Sequence, residues 1–369
     1  MIFTIVGWYG TETIGDRAIL SGIIDILKDF DKHIDIKIGS LYPFYTERAL
    51  LEDKAFNKVI ANNVKISCFD IRDKKISKSI IKESKLVIMG GGPLTNILEL
   101  DYIESSFRYA KKNQIPTGLV GIGIGPIGGR CFRKRIASII KYSDFIITRD
   151  LISKEIILSE FRRDDEVYVS DDPAILPTYY VESVDEKYCD YVVVNLRRFP
   201  FENADKINKH IEEFLSNLAK TSKEKILLLS NHYFFIGGDD REFYYDLQSK
   251  IKSKNIEIQS APLSLYDTLK IIKSAKLCIG MRYHSILFHT FLNGNNYILD
   301  YTGKKGKIEA FIESLNATDF YNGRKINLLD ISREMDRAFE YSECKNNLNL
   351  EERKNKCIKY YQKVIEQYL

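Results

Sequence analysis

The residues best suited to chemistry in this sequence are Arg282 and His284, which are separated by one residue and follow the apolar segment 277–279. An arginine guanidinium binds a carboxylate or phosphate through paired hydrogen bonds, and an imidazole exchanges a proton near neutral pH. Gly280 ends the apolar segment and a second apolar run begins at Ile286, so the pattern predicts a strand that turns into a helix. In open α/β sheets, ligands bind at the carboxyl ends of strands. We therefore predict an anion site with an acid–base group here.

Three more arginines follow predicted strands in the same way: Arg149, Arg197 and Arg198. Each is a candidate to bind an anion beside Arg282, because a guanidinium at a strand end points toward the ligand edge of the sheet. Arg149 is close in sequence to Asp150 and Glu155. A salt bridge to one of these carboxylates is therefore the competing interpretation for Arg149.

Glycines follow two other predicted strands, and these glycines are Gly90, Gly91, Gly92, Gly123 and Gly125. The first three come after the apolar run 84–89, and the last two precede Pro126 at the end of the run 117–124. Consecutive glycines let the backbone approach a ligand closely, because no side chain intervenes. We interpret both segments as ligand-facing loops.

The first predicted strand, residues 2–6, leads into a loop with glycines and then a helix predicted over residues 17–30. Such an arrangement aims backbone N–H groups and a helix dipole at an anion, although the spacing matches no nucleotide motif. Trp8 and Tyr9 lie directly after the strand, where their rings could stack on a sugar. Asp16 either caps the helix or acts on a ligand directly.

Two neighbouring carboxylates, Asp171 and Asp172, follow the short predicted strand 167–170. Successive side chains in extended chain point to opposite sides, so at most one of the two faces a site. Asp172 therefore joins Asp16 as a candidate general base.

Strands alternate with helices along the chain, which indicates parallel α/β sheets. A chain of 369 residues exceeds the usual size of one core. The pattern restarts after a polar stretch near residues 176–187. We predict two Rossmann-like domains that face a cleft in a GT-B-like fold, over residues 1–180 and 188–330. A C-terminal helical extension, residues 331–369, follows, and we expect its last helix to pack back on the first domain.

The composition is that of a folded soluble protein, with 44% hydrophobic residues. The formal net charge of +4 is too small for this length to indicate a nucleic-acid partner. The six cysteines show no C-x-x-C spacing, which favours a reducing cytoplasm and predicts no metal site. The apolar first residues have neither a basic flank nor a cleavage site, and no apolar run reaches the roughly 20 residues of a membrane span.

Taken together, these segments resemble the polysaccharide pyruvyl transferase family. The likeness rests on five places, which follow in order: Gly15–Leu20, Gly90–Gly92, Gly123–Ile127, Thr148–Asp150 with Asp172–Ala174, and Met281–Ser285. It extends from the amino terminus to about residue 315. The agreement of all five in order makes the resemblance specific.

The resemblance implies transfer of the enolpyruvyl unit of phosphoenolpyruvate to a sugar, with a pyruvate ketal as product and phosphate released. Phosphoenolpyruvate is then a co-substrate, and no cofactor is implied. The second domain would bind phosphoenolpyruvate, with Arg282 as the first choice and Arg149, Arg197 or Arg198 as the next. His284 would be the acid, and Asp16 or Asp172 the base. The first domain would bind the acceptor, a polysaccharide or its lipid-linked precursor. A lipid-linked acceptor would place a cytoplasmic protein against the inner face of the membrane during cell-envelope or exopolysaccharide synthesis.

Two other functions remain open from the sequence. A GT-B glycosyltransferase would use a nucleotide sugar and would need a carboxylate near the ribose, for which Glu309 and Glu313 are the candidates. A non-catalytic component of a glycan-assembly complex is the second alternative, and it would release no phosphate with any acceptor. No motif in the sequence predicts the oligomeric state or the acceptor sugar.

Overall fold

The chain folds into two α/β units, which a computed structural model describes over residues 1–90, 92–125, 127–200, 203–303, 306–329 and 344–369. The first unit consists of Met1–Tyr180 and Leu350–Leu369, and the second of Val181–Asn349. Gly91 and Pro126 of the predicted loops lie outside the described residues. So does the start of the predicted helical extension, up to residue 343.

The first unit is built on an eight-stranded sheet whose paired strands are all parallel. Its strands are β1 (Ile2–Val6), β2 (Ile34–Ser40), β3 (Val64–Asp70), β4 (Leu86–Gly90), β5 (Pro93–Leu94), β6 (Thr117–Ile124), β7 (Phe145–Thr148) and β8 (Val167–Val169). Its helices are α1 (Ile14–Leu27), α2 (Pro43–Glu52), α3 (Lys54–Val59), α4 (Lys74–Glu83), α5 (Leu100–Lys112), α6 (Arg130–Tyr142), α7 (Leu151–Glu160) and a 3₁₀ helix, Pro173–Tyr180. The strand order is β3-β2-β1-β4-β6-β7-β8, with β5 paired to β6.

The central strands are continuous apolar runs because helices cover both faces of the sheet. All five residues of β4 are buried, for example. Helices α4 to α7 cover one face, where Phe107, Ile139 and Ile157 belong to one buried cluster with β4 and β6. The right-handed crossover rule puts α1 on the opposite face. There α1 packs against the 3₁₀ helix, and a Cβ at Gly22 would overlap the Pro173 carbonyl oxygen.

The last helix of the chain, α14 (Leu350–Ile365), packs on the first unit as predicted. Arg353 binds both carboxylate oxygens of Asp171, with its Nε 3.0 Å from each. The Tyr361 hydroxyl donates to the Asp171 carbonyl at 2.8 Å, and the Tyr361 side chain is fully buried. The helix thus fixes the segment that follows β8.

The second unit is built on a six-stranded parallel sheet with the order β11-β10-β9-β12-β13-β14. Its strands are β9 (Tyr191–Asn195), β10 (Lys225–Leu228), β11 (Ile256–Ile258), β12 (Leu277–Gly280), β13 (Asn296–Asp300) and β14 (Lys325–Asn327). Its helices are α8 (Ala204–Thr221), α9 (Asp240–Ile251), α10 (Leu265–Ser274), α11 (Tyr283–Phe288) with a π-helical turn (His289–Asn293), α12 (Lys307–Ser314) and α13 (Thr318–Tyr321). Two parallel α/β units confirm the predicted fold class.

Candidate active site

Each sheet has one topological switch point, at which successive strands are added first on one side of the starting strand and then on the other. In the first unit this switch point lies between β1 and β4, and in the second it lies between β9 and β12. A crevice forms at the carboxyl ends of the two strands that flank such a point, and ligands bind there. The loops after these four strands carry Asp16 and Gly92 in the first unit and Arg197 and Arg282 in the second. The predicted residues Gly125, Arg149 and Asp172 instead follow β6, β7 and β8. The topology therefore gives each unit one place for a ligand.

In the second unit, Arg282 is held by Asp240. Its Nε lies 3.1 Å from both carboxylate oxygens of Asp240, and its Nη2 lies 2.5 Å from one of them. Asp240 is 2% exposed and also accepts hydrogen bonds from the backbone N–H groups of Asn231 and His232, each at 3.1 Å. Burial lowers the pKa of Arg282, but the Asp240 carboxylate raises it above its usual value. Arg282 is thus a permanently charged and fixed guanidinium.

Arg197 interacts with Arg282, and both arginines and Lys307, the first residue of α12, interact with Tyr301. Arg197 follows β9, and Tyr301 follows β13. Burial and the nearby charge of Arg282 lower the pKa of Arg197. Burial would raise the pKa of Tyr301, but Lys307, Arg197 and Arg282 lower it to about 8. An anion bound here would relieve the repulsion between the two arginines.

His284 lies in the first turn of α11, two residues after Arg282, and is half-buried. Its ring stacks on Phe288 with the centroids 6.3 Å apart, and the Tyr283 ring packs edge-on at 5.3 Å. Ser285, the next residue, donates to the buried amide oxygen of Asn195 at 2.7 Å. These contacts fix the imidazole at the same strand end as the cations.

Arg198 lies outside this cluster, although it follows β9 directly after Arg197. Its side chain is 55% exposed and pairs with Asp246 at 3.0 Å. Its guanidinium lies over the Phe243 ring, 4.9 Å from the centroid. Consecutive residues of this loop point in different directions, so the structure brings Arg197 into the cluster and leaves Arg198 on the surface of α9.

In the first unit, the loops after β1 and β4 bring Asp16 beside Gly92. A Cβ at Gly92 would lie 3.8 Å from Asp16 Oδ1, and Gly92 has a φ of +73°. Helix α1 begins at Ile14, three residues before the predicted start at residue 17. Asp16 therefore lies within the first turn, and Thr13 takes the N-cap position. The Asp16 carboxylate is 8% exposed and lines a small pocket with Trp8. The negative charge of Asp16 suits the positive end of the helix dipole.

Tyr9 does not offer a ring face for stacking, because it is 2% exposed. Its hydroxyl donates to the Gly90 carbonyl at 2.5 Å. Burial, followed by the charge of Asp16, raises the pKa of this hydroxyl. Tyr9 therefore holds the loop after β1 against the last residue of β4. Trp8, by contrast, is only half-buried.

Arg149 and Asp172 form a buried ion pair, with Nη1 3.1 Å from Oδ2 and side chains that are 3% and 1% exposed. The other Asp172 oxygen accepts from the Ala174 backbone N–H at 2.9 Å. The Arg149 guanidinium lies against Gly123, where a Cβ would be 2.7 Å from Nη2. The pair supports the end of β6, which contains Gly123, although Gly123 was predicted to lie in a loop; Gly125 directly follows the strand. Asp150, at 3.9 Å, is a more distant partner of Arg149.

Sequence reasoning missed Tyr301, Lys307, Asp240 and Glu12. Tyr301 directly follows the apolar strand β13, so the rule that identified Arg197 would also have found it. Asp240 and Lys307 begin helices, and only the folded chain places them beside the cations. Glu12 is 6% exposed, has a left-handed φ of 54°, and binds Arg17 at 2.5 Å and Arg48 at 2.8 Å. Strained backbone of this kind is concentrated at functional sites.

Within the described ranges, no group of three or more His, Cys, Asp or Glu side chains is arranged to hold a metal ion. None of the described helices combines the length and the apolar character that a membrane crossing requires.

Comparison with solved structures identifies relatives that have the same overall fold. UDP-GlcNAc 2-epimerase from Methanocaldococcus jannaschii matches with a TM-score of 0.60 and 16% identity, over 100% of both chains. The UDP-GlcNAc 2-epimerase from Neisseria meningitidis, solved with UDP-GlcNAc bound, matches with a TM-score of 0.61 and 12% identity, over 99% of both chains. MnaA from S. aureus, solved with UDP, matches with a TM-score of 0.59 and 16% identity, over 99% of this chain and 97% of the other. These enzymes have the GT-B fold, which confirms the predicted fold class.

The curated proteins contain no sequence match to this chain. The sequence model of one family, described as polysaccharide pyruvyl transferase, matches residues 14–290. This range contains the two switch-point loops of the first unit and, in the second, the residues from Arg197 to His284. Because the match covers more than half of the chain, the protein belongs to the polysaccharide pyruvyl transferase family.

Proposed function

We propose that this protein transfers the enolpyruvyl group of phosphoenolpyruvate to a sugar and releases phosphate. The observation that carries this proposal is the convergence of Arg197, Arg282 and Lys307 around Tyr301. Phosphoenolpyruvate carries a carboxylate and a phosphate on a small molecule, so its binding requires several fixed cations close together. His284, which follows the same strand as Arg282, supplies an acid–base group beside them.

The reaction begins with a proton transfer from His284 to the methylene carbon of phosphoenolpyruvate. The adjacent carbon then becomes electrophilic, like an oxocarbenium ion, and a sugar hydroxyl attacks it. Phosphate leaves, and a second hydroxyl of the sugar closes the cyclic ketal. The fixed guanidinium of Arg282 stabilises the negative charge that develops on the departing phosphate.

We assign the acceptor to the first unit, where Asp16 is the preferred base for the attacking hydroxyl. Asp16 lies in the first turn of α1, beside Gly92 and the half-buried Trp8. Asp172 is a less suitable base, because Arg149 and the Ala174 N–H already bind its two oxygens. A half-buried tryptophan beside a carboxylate suits a sugar, whose C–H groups pack on the ring.

The family supports a glycan acceptor, either an exopolysaccharide or its lipid-linked precursor. With a lipid-linked acceptor, the protein would work in the cytoplasm at the inner face of the membrane.

A test of this function compares Arg197→Ala with Arg198→Ala. Phosphate release from phosphoenolpyruvate is measured with synthetic or extracted glycans as acceptors. Loss of a charge-assisted contact of about 1.5–3 kcal/mol should lower kcat/KM by roughly 10-fold to 150-fold in Arg197→Ala. Arg198→Ala removes the same charge from the next residue and should leave the rate unchanged, because Arg198 pairs with Asp246 on the surface.

His284→Ala tests the chemical step in the same assay. Loss of a general acid should lower kcat by about 10²–10⁴, with a smaller change in KM. Consumption of a nucleotide sugar without phosphate release would instead identify a glycosyltransferase. No turnover with any acceptor would favour the non-catalytic alternative.

A further inference from the structure

Tyr301 is the buried residue on which the cations of the second unit converge. It is 9% exposed, and the Phe199 ring packs edge-on against it with the centroids 5.7 Å apart. Lys307 Nζ lies 5.4 Å from the centroid of the Tyr301 ring, and both Lys307 and Arg197 interact with its hydroxyl. The phenol therefore lies among the groups proposed to bind phosphoenolpyruvate.

Tyr244 of the same unit shows how unusual this environment is. Its hydroxyl is fully buried and hydrogen-bonds the main chain at Leu196 and Leu229. Burial and the Asp240 carboxylate raise the pKa of Tyr244. Tyr301 is also buried, but its neighbours are cations, and its pKa is lowered to about 8. We therefore expect the free protein to hold Tyr301 partly as a phenolate at slightly alkaline pH.

Binding of phosphoenolpyruvate raises the pKa of Tyr301. The phosphate and carboxylate of the ligand would neutralise the charges of Arg197, Arg282 and Lys307, which favour the phenolate in the free protein. Asp240, the carboxylate that holds Arg282, stays bound to it. Because like charges disfavour the ionised form, Tyr301 binds a proton more tightly when the site is occupied. By linkage, the phenolate of the free protein weakens anion binding as pH rises.

We propose that Tyr301 takes up a proton when phosphoenolpyruvate binds and donates it to the phosphate as that group leaves. This inference rests on the proposed function. In the step, the bond between the substrate carbon and the phosphate oxygen breaks and its electron pair goes to that oxygen. The phenol proton moves to the phosphate, which departs as hydrogen phosphate. Tyr301 remains as a phenolate beside Lys307 and Arg197 and regains a proton from solvent, whereas His284 protonates the methylene carbon.

Calorimetry of phosphoenolpyruvate binding at pH 8 tests the proton uptake. The titration is done in two buffers that differ in ionisation enthalpy, because the difference in heat gives the number of protons bound. The wild type should take up a fraction of a proton per phosphoenolpyruvate, because the cations of the free site lower the pKa of Tyr301 to about 8. Tyr301→Phe should take up none. Tyr245→Phe removes an exposed tyrosine of α9 and should behave as the wild type.

Two further measurements separate this inference from the proposed function. The tyrosinate absorbance of the wild type at pH 8 should fall when phosphoenolpyruvate is added, and this test needs no variant. Loss of the donor should lower kcat of Tyr301→Phe by about 10²–10⁴ with binding retained at pH 7. Binding by the wild type without proton uptake, or an unchanged kcat in Tyr301→Phe, would overturn the inference and leave pyruvyl transfer standing. If the wild type does not bind phosphoenolpyruvate, both fail.

Discussion

The neighbouring carboxylates Asp171 and Asp172 provide a matched pair for a stability experiment. Asp172→Asn keeps an oxygen for the Ala174 N–H but removes the charge that compensates the buried Arg149. Removal of one partner of a buried ion pair costs about 3–5 kcal/mol. Because Asp150 lies 3.9 Å from Arg149 and can compensate in part, we expect the lower end, about 3 kcal/mol. Asp171→Asn should cost about 1 kcal/mol, because its partner Arg353 is 23% exposed.

Urea unfolding followed by tryptophan fluorescence measures this difference in the first unit, which contains Asp171 and Asp172. Trp8 is the single tryptophan of the chain and belongs to the first unit. With an m value of about 2 kcal/mol per molar, Asp172→Asn should lower the unfolding midpoint by about 1.5 M. Asp171→Asn should lower it by about 0.5 M. Equal midpoints for the two variants would refute the assignment of Asp172 as the buried counter-charge. A stable but inactive Asp172→Asn would restore it as a candidate base.

Two more predictions concern buried positions. Gly22→Ala should destabilise the first unit by about 1–3 kcal/mol, although alanine favours helices, because its Cβ would overlap the Pro173 carbonyl; a thermal melt that is unchanged or raised would contradict this packing. Burial lowers the pKa of His289 to about 3, so the imidazole is neutral when folded and takes up a proton on unfolding below about pH 6.5. Stability should therefore be complete above pH 6.5 and fall toward pH 3 by up to about 1.4 kcal/mol per pH unit, measured by urea unfolding, and His289→Gln should lose this contribution.

The fold was largely predictable from the sequence because parallel strands buried on both faces are continuous apolar runs. The strands Ile2–Val6 and Thr117–Ile124 have the predicted bounds. The two-residue strand β5 was not predicted, because it pairs through a single neighbour and has no apolar run of its own. The first helix begins at Ile14 instead of residue 17, since Thr13 takes the N-cap position.

The candidate site was predictable only to the level of which loops carry it. A strand end specifies the edge of the sheet, so Arg197, Arg282 and His284 could be proposed from their positions. Whether a side chain points into the crevice depends on loop geometry, which separates Arg197 from Arg198. The partners that decide electrostatics are distant in sequence, as Asp240 is from Arg282. The local sequence around either residue does not predict an ion pair of this kind.

The return of α14 to the first unit has a consequence for synthesis of the chain on the ribosome. The segment Leu350–Leu369 supplies Arg353 and Tyr361 to Asp171 and packs against α1, and the whole of Val181–Asn349 is made in between. The second unit can therefore complete its core during translation, whereas the first must wait, with the surface of α1 exposed, until these residues emerge. The part of the protein that is made first is the last to be finished, and in that interval it offers an apolar surface to chaperones.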